Sequence, residues 1–123
     1  MSGGQKARIS LARAVYSDKS TILMDDPLSA LDAKVKKRIF KLVIMRKLAQ
    51  KTRVLVTHAV DFLHLADSII CLKDGKIEFQ GKYDEVKSHP YLKELLSIHK
   101  GHQLQRMSGS NSARESGHCG IAL

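Results

Sequence analysis

A chain of 123 residues makes at most one domain, and 43% hydrophobic with 27% charged residues is the composition of a globular fold. No apolar run approaches the roughly 20 residues of a membrane-spanning helix, and Met1-Ser2-Gly3-Gly4-Gln5 carries neither the basic nor the apolar region of a secretory signal. The formal net charge of +9 draws heavily on residues 34–53, which hold no acid; because Phe40 is the only aromatic there, the stretch reads as a solvated helix face and no nucleic acid is expected.

In chain order, Ser2-Gly3-Gly4-Gln5 has the form of a capping box, with the Ser2 hydroxyl at a helix start and Gln5 reaching back three residues. Residues 6–16 follow with Ile9, Ala12 and Tyr16 at helical spacing and Leu11 and Val15 beside them, which predicts a helix. After a polar turn at 17–20, Thr21-Ile22-Leu23-Met24 is a short apolar run ending in two acids, the pattern of a buried parallel strand. Pro27 breaks the chain beyond it. Val35, Ile39, Leu42, Val43 and Leu48 predict a second amphipathic helix with its basic residues outside. Residues 53–57 read as another buried strand and 60–66 as a short helix. Ser68–Lys73 and Lys76–Gly81 read as two strands joined at Asp74-Gly75, a hairpin signal. Tyr83–Val86 and 90–98 read as two small helices.

This order predicts an α/β domain over residues 1–100, with a mainly parallel sheet flanked by helices and a closing β-hairpin. From Gly101 serine and glycine dominate, so 101–123 reads as a disordered tail or flexible linker. His99, His102 and His118 lack the spacing of a metal site. Cys71 lies in an apolar run and Cys119 in the polar tail; the pair suggests neither a metal site nor a disulfide framework, and it fits a reducing, cytosolic compartment.

Three segments carry chemistry. In Ser2-Gly3-Gly4-Gln5, two glycines before a helix let backbone N–H groups approach an anion, and the helix N-terminus adds partial positive charge; a plain helix cap has the same form. Asp25 and Asp26 end a buried strand, where open α/β sheets bind ligands. One carboxylate there suits Mg²⁺, usually through water, and the other can orient an attacking water. His58 ends the next strand, within reach of a phosphate at the sheet's edge.

Together these segments resemble the second half of the nucleotide-binding domain of ATP-binding cassette (ABC) proteins, over roughly residues 1–98. Ser2-Gly3-Gly4-Gln5 is similar to the family's signature loop, with Met1 where Leu is usual. Residues 22–26 are similar to the Walker B strand, Ser29-Ala30-Leu31-Asp32 to the D-loop, His58 to the switch histidine and 72–81 to the closing hairpin. The form Asp-Asp-Pro-Leu-Ser-Ala-Leu-Asp resembles the first nucleotide-binding domain of the C subfamily, the multidrug-resistance-associated transporters.

The resemblance implies a partial P-loop NTPase fold, with ATP and Mg²⁺ as cofactors. Ser2, Gly3, Gly4, Gln5, Ser29 and Asp32 would contact nucleotide, Asp25 would hold the metal, and Asp26 and His58 would be catalytic. Most relatives have Glu at position 26; Asp is one methylene shorter, which implies a slow or degenerate site. No Gly-x-x-x-x-Gly-Lys-Ser/Thr occurs in the 123 residues, so the loop that cradles phosphates is not among them, as though a longer sequence had been cut. The expected partners are a second nucleotide-binding domain, head to tail with ATP at the interface, and the transmembrane domains of a transporter. That implies a place on the cytosolic face of a membrane. The chain by itself is then expected to be inactive and poorly folded, with strands 21–25 and 53–57 short of a neighbour. Two alternatives remain: a soluble ABC protein acting on ribosomes or chromosomes, and a non-catalytic interaction module. The first usually carries Glu-Pro-Thr-Asn-His-Leu-Asp, or a long coiled coil, where this chain has neither.

Overall fold

The computed structural model describes residues 1–108 and 118–122, with side chains as far as residue 105. Helix α1 (Gly3–Tyr16) starts at the predicted capping box. The Ser2 hydroxyl accepts from the Gln5 amide at 3.2 Å, and Gln5 Oε1 accepts from the Ser2 amide at 2.9 Å. The helix ends at Ser17, ahead of Asp18, whose φ of 51° leaves the helical region. Its apolar stripe differs from the predicted one. Leu11 is buried and Ala14 and Val15 partly so, whereas Ile9 and Tyr16 are exposed. An apolar groove of about 460 Å³ runs between α1 and the next helix, lined by Leu11, Val15, Tyr16, Ile39 and Val43 among others.

Strand β1 (Thr21–Asp25) pairs in parallel with β2 (Thr52–Thr57), placing Ile22 opposite Arg53 and Met24 opposite Leu55. Between them lies helix α2 (Ala33–Ile39), capped by Asp32, whose Oδ1 accepts from the Val35 amide at 3.0 Å. It continues as a π-helical segment, Phe40–Lys47, closed by a five-residue step from the Leu48 amide to the Val43 carbonyl at 2.9 Å. The wider turn brings residues four apart nearly into line. Phe40, Ile44 and Leu48 are therefore buried, while Leu42, expected on the stripe, is exposed. The Arg53 side chain, buried beneath this segment, donates from Nη1 to the Ile44 carbonyl at 2.5 Å.

A 3₁₀ helix, Val60–Leu65, leads to strands β3 (Ser68–Lys73) and β4 (Lys76–Gly81), which form the predicted hairpin. Asp74 and Gly75 both have positive φ, 50° and 74°, as a two-residue type I′ turn requires. Helices α3 (Tyr83–Val86) and α4 (Pro90–Ser108) follow. The core lies on one face of the sheet. Ile22, Met24, Leu55, Ile69, Cys71 and Phe79 are buried there, together with Phe40, Ile44, Leu63 and Leu92 from the helices. Phe40 and Phe62 stack with centroids 4.0 Å apart and planes 7° from parallel.

The segment expected as a tail departs most from its reading. Residues 101–108 continue α4 past Gly101, just beyond the point where His99 Nε2 meets Asp61 Oδ2 at 2.9 Å. Residues 118–122 form strand β5 (His118–Ala122), and 109–117 lie outside the described residues. The sheet order is β1-β2-β5-β3-β4, with β5 antiparallel to both neighbours. It follows that β2 and β3 run parallel to each other. The expectation that 53–57 lacks a neighbour is thus corrected: β2 has β1 on one side and β5 on the other. The cause is the hydrogen-bonding demand of two facing strand edges, which any extended segment within reach can satisfy. The sheet is mixed rather than mainly parallel, since β4 and β5 both run against β1, β2 and β3.

Candidate functional site

Parallel pairing of β1 and β2 puts their carboxyl ends side by side. The register ends with Asp25 opposite Val56, and the next amide, that of Asp26, donates to the Val56 carbonyl at 2.7 Å. Asp26 and His58 thus leave the same end of the sheet from adjacent strands, which is where open α/β sheets bind ligands. Asp25 and His58 are exposed and Asp26 is half-buried. Asp26 takes a φ of 43°, a left-handed conformation that residues other than glycine adopt at a cost. The turn behind it is held locally: the Asp26 carbonyl accepts from the Ser29 amide at 3.3 Å and from its hydroxyl at 3.0 Å. The left-handed backbone at Asp26 turns the chain at the strand end.

The loop carrying Ser29, Ala30, Leu31 and Asp32 packs against the start of α1. A β-carbon at Gly4 would lie 3.1 Å from the Ala30 carbonyl oxygen and 3.4 Å from a Leu31 methyl, and one at Gly3 would lie 3.5 Å from the Ala30 β-carbon. Gly4 therefore serves a close approach between two predicted site segments, whereas a side chain at Gly3 would meet Ala30 at ordinary contact distance. The Ser2 hydroxyl oxygen is engaged as the helix cap, which leaves its proton to donate outward. Asp32 caps α2 with one carboxylate oxygen.

Two contributors escaped the sequence reading. Thr57 is buried and its Oγ1 accepts from the Ala59 amide at 3.0 Å, fixing the turn that presents His58. Its signal was available, since threonine at a strand end commonly binds the backbone two residues on. Arg53 ties β2 to the π-helical segment, and a basic residue opening an apolar strand gave no hint of that.

Among the described residues no three His, Cys, Asp or Glu side chains converge as a ready metal cage. Mg²⁺ takes one or two carboxylates and keeps water and phosphate as its other ligands. Asp25, a hard oxygen donor exposed at the end of β1, fits that demand. No helix among the described residues is long and apolar enough to cross a membrane.

No protein-family model matches the chain. Individual proteins do. The rat "ATP-binding cassette sub-family C member 3" is 56% identical over 91 residues, which cover 72% of this chain and 6% of that protein. "ABC transporter C family member 5" of Arabidopsis thaliana is 49% identical over 100 residues, covering 80% of this chain and 7% of that protein. The human "ATP-binding cassette sub-family C member 4" is 52% identical over 85 residues, covering 69% and 6% respectively. The chain therefore spans well under a tenth of the length of these curated relatives.

Proposed function

The chain belongs to the C subfamily of ABC transporters, and on that premise we propose that it supplies the C-terminal half of a nucleotide-binding domain that binds and hydrolyses ATP to drive transport. The observation that supports this best is the shared carboxyl end of β1 and β2, where Asp25, Asp26 and His58 leave the sheet from adjacent parallel strands. The fold in the intact protein is then that of the P-loop NTPases.

Each residue takes a role its position suits. Asp25 holds Mg²⁺, whose charge offsets that of the phosphates. Asp26 takes the proton of the attacking water, and His58 donates to the γ-phosphate. Ser2, Gly3, Gly4 and Gln5, at the N-terminus of a 14-residue helix, present donors to ATP held by a second nucleotide-binding domain. Ser29 and Asp32 lie on the loop against that helix start and complete the same face. The transmembrane domains of the transporter receive the resulting motion, at the cytosolic side of a membrane.

Asp26 makes the site a slow one. Its carboxylate stops one methylene short of the Glu reach, and a misplacement of about 1 Å can cost on the order of a hundredfold in rate. In the transporter-length protein, Asp26→Glu is expected to raise ATP turnover at this site. Asp26→Asn and His58→Ala are expected to lower it. Single-turnover hydrolysis and nucleotide occlusion measured at this site separate its rate from that of its partner. Unchanged occlusion and hydrolysis in both Asp26→Glu and His58→Ala would defeat the assignment. The 123-residue chain alone is expected to bind ATP only weakly, because its sequence holds no Gly-x-x-x-x-Gly-Lys-Ser/Thr to cradle the phosphates; calorimetry showing micromolar affinity would contradict this.

A second reading draws support from β5. The segments that would need a neighbouring strand are closed into one sheet within this chain. A self-contained module that docks its Ser2–Gln5 end on an ATPase domain, without turning over ATP, is consistent with that closure.

A further inference from the structure

His58 follows the carboxyl end of β2 as an exposed residue, so burial in the core does not fix it. The chain around it is held from two sides. Upstream, Thr57 Oγ1 accepts from the Ala59 amide. Downstream comes the 3₁₀ helix Val60–Leu65, whose Asp61 Oδ2 meets His99 Nε2 of α4 at 2.9 Å. We propose that Asp61 and His99 are positioning residues for His58: their contact fastens the 3₁₀ helix to α4 and so sets where His58 stands at the nucleotide site. The inference rests on the role proposed above for His58.

A short 3₁₀ helix has poor hydrogen-bond geometry and little stability of its own. Ala59, at its start, has no side-chain oxygen with which to cap it. Its place is therefore decided by its neighbours. One face is buried: Val60, Phe62 and Leu63 enter the core, and Phe62 stacks on Phe40. Apolar burial is non-directional, so it holds the helix down and constrains its rotation less. On the outer face, the His64 ring stands edge-on to Tyr83 of α3 with centroids 6.3 Å apart, and Asp61 reaches His99. Asp61 lies in the first turn, three positions after His58, so its contact governs the connection to His58 most directly.

Helix α4 is a firm post for that contact. Leu92 is fully buried, and the Lys73 ammonium lies 4.4 Å from the centre of the Tyr91 ring. The step from Leu92 to His99 is about two turns, roughly 10 Å along the axis, and returns to the same face of the helix. The Asp61 carboxylate only accepts, so the ring nitrogen that meets it carries the proton. Gln103, one turn on, makes a longer contact to the same nitrogen, 3.3 Å from its amide nitrogen. Both members of the pair are partly exposed, at 29% and 46% for His99 and Asp61. Exposed pairs add little to overall stability. Losing this one should leave the fold intact and change the placement of the segment.

The test uses the transporter-length protein, with single-turnover hydrolysis at this site and hydrogen exchange of the peptide spanning 57–61. His99→Leu and Asp61→Ala should each speed exchange in 57–61 and leave that of the β3–β4 hairpin unchanged. Each should slow hydrolysis on the order of tenfold with nucleotide affinity held within about twofold, since a misplacement of about 1 Å can cost about a hundredfold. His99→Gln, which keeps a side-chain donor, should recover most of the rate. The Asp61→Ala, His99→Leu double variant should be no slower than either single one, because each removes the same contact. His58→Ala controls for the reading beneath. If it slows hydrolysis while both single variants run at full rate, the proposal is overturned; it is also overturned if the two losses multiply in the double variant. If His58→Ala itself runs at full rate, the role of His58 fails and exchange alone decides. Faster exchange in both single variants then upholds the pair as what places this segment, and unchanged exchange overturns it.

Discussion

The two faces of the sheet are built from the same strands and have different fates. On one, Ile22, Met24, Leu55, Ile69 and Phe79 disappear beneath α2, its π-helical continuation, the 3₁₀ helix and α4. On the other, Leu23 is 76% exposed and Leu72 44% exposed, and Val54, Val56 and Ile70 are only half-covered. Runs such as Thr21-Ile22-Leu23-Met24 are apolar without alternation, as strands are when both faces are buried. The strands thus suit two covered faces, and the helices among the described residues cover one. The apolar surface that remains is a place for other protein to pack, and in its absence a place for self-association.

That contrast can be measured. Phe40→Ala, on the covered side, removes a fully buried ring stacked on Phe62 and should cost about 3–5 kcal/mol of unfolding free energy. Since small domains hold only some 5–15 kcal/mol in all, a chain with a thin margin would no longer melt cooperatively. Leu23→Ala, one face away, should change the urea midpoint by no more than about 0.5 kcal/mol equivalent. Equal costs for the two would mean that the open face is covered in solution.

The open face is the subject of the next test. A Leu23→Lys, Leu72→Lys double variant should keep its melting temperature and shift sedimentation toward the monomer, because it breaks the apolar patch without touching the core. Retained self-association would place the sticky surface elsewhere, for instance in the groove beside Leu11 and Val15.

Smaller effects probe the loop end of the sheet. Ser2→Ala removes the cap of α1 and should destabilise by about 1 kcal/mol, read in urea melts. Gly4→Val forces a side chain against the Ala30 carbonyl and Leu31, so it should disturb the Ser29–Asp32 backbone in amide exchange while sparing β3 and β4.

The smallest effect is electrostatic. Lys51 Nζ lies 2.7 Å from Asp18 Oδ1, and this hydrogen bond, aided by the lysine charge, holds the Asp18 carboxyl below its ordinary range. A depressed carboxyl stabilises the fold above its unfolded titration range and loses that contribution as pH falls through its folded value. Lys51→Met should therefore flatten the acid side of the stability profile slightly, and added salt should mimic it. An unaltered profile would mean that the pair contributes nothing.

Much of this protein was legible along the chain. The capping box at Ser2 and Gln5, the buried strands ending at Asp25 and Thr57, and the turn at Asp74-Gly75 each rest on interactions within a few residues, which sequence states directly. The family followed from four such local segments in order. What needed the tertiary structure is of another kind. Leu42 is exposed because the helix widens after Ile39 under Phe40, with the Arg53 side chain beneath it, and no periodicity announces a π-helical turn. Gly4 is tied to Ala30 by a packing distance between a helix start and a loop. Residues 118–122 read as part of a tail because the stretch from Gly101 onward is rich in serine and glycine. They form the middle strand because β2 and β3 offer two unpaired edges at the right spacing, and backbone hydrogen bonding depends on that geometry far more than on side-chain identity. Local chemistry fixed the elements and the candidate site residues, while the order of strands and the covered face were settled only when distant backbone edges found one another.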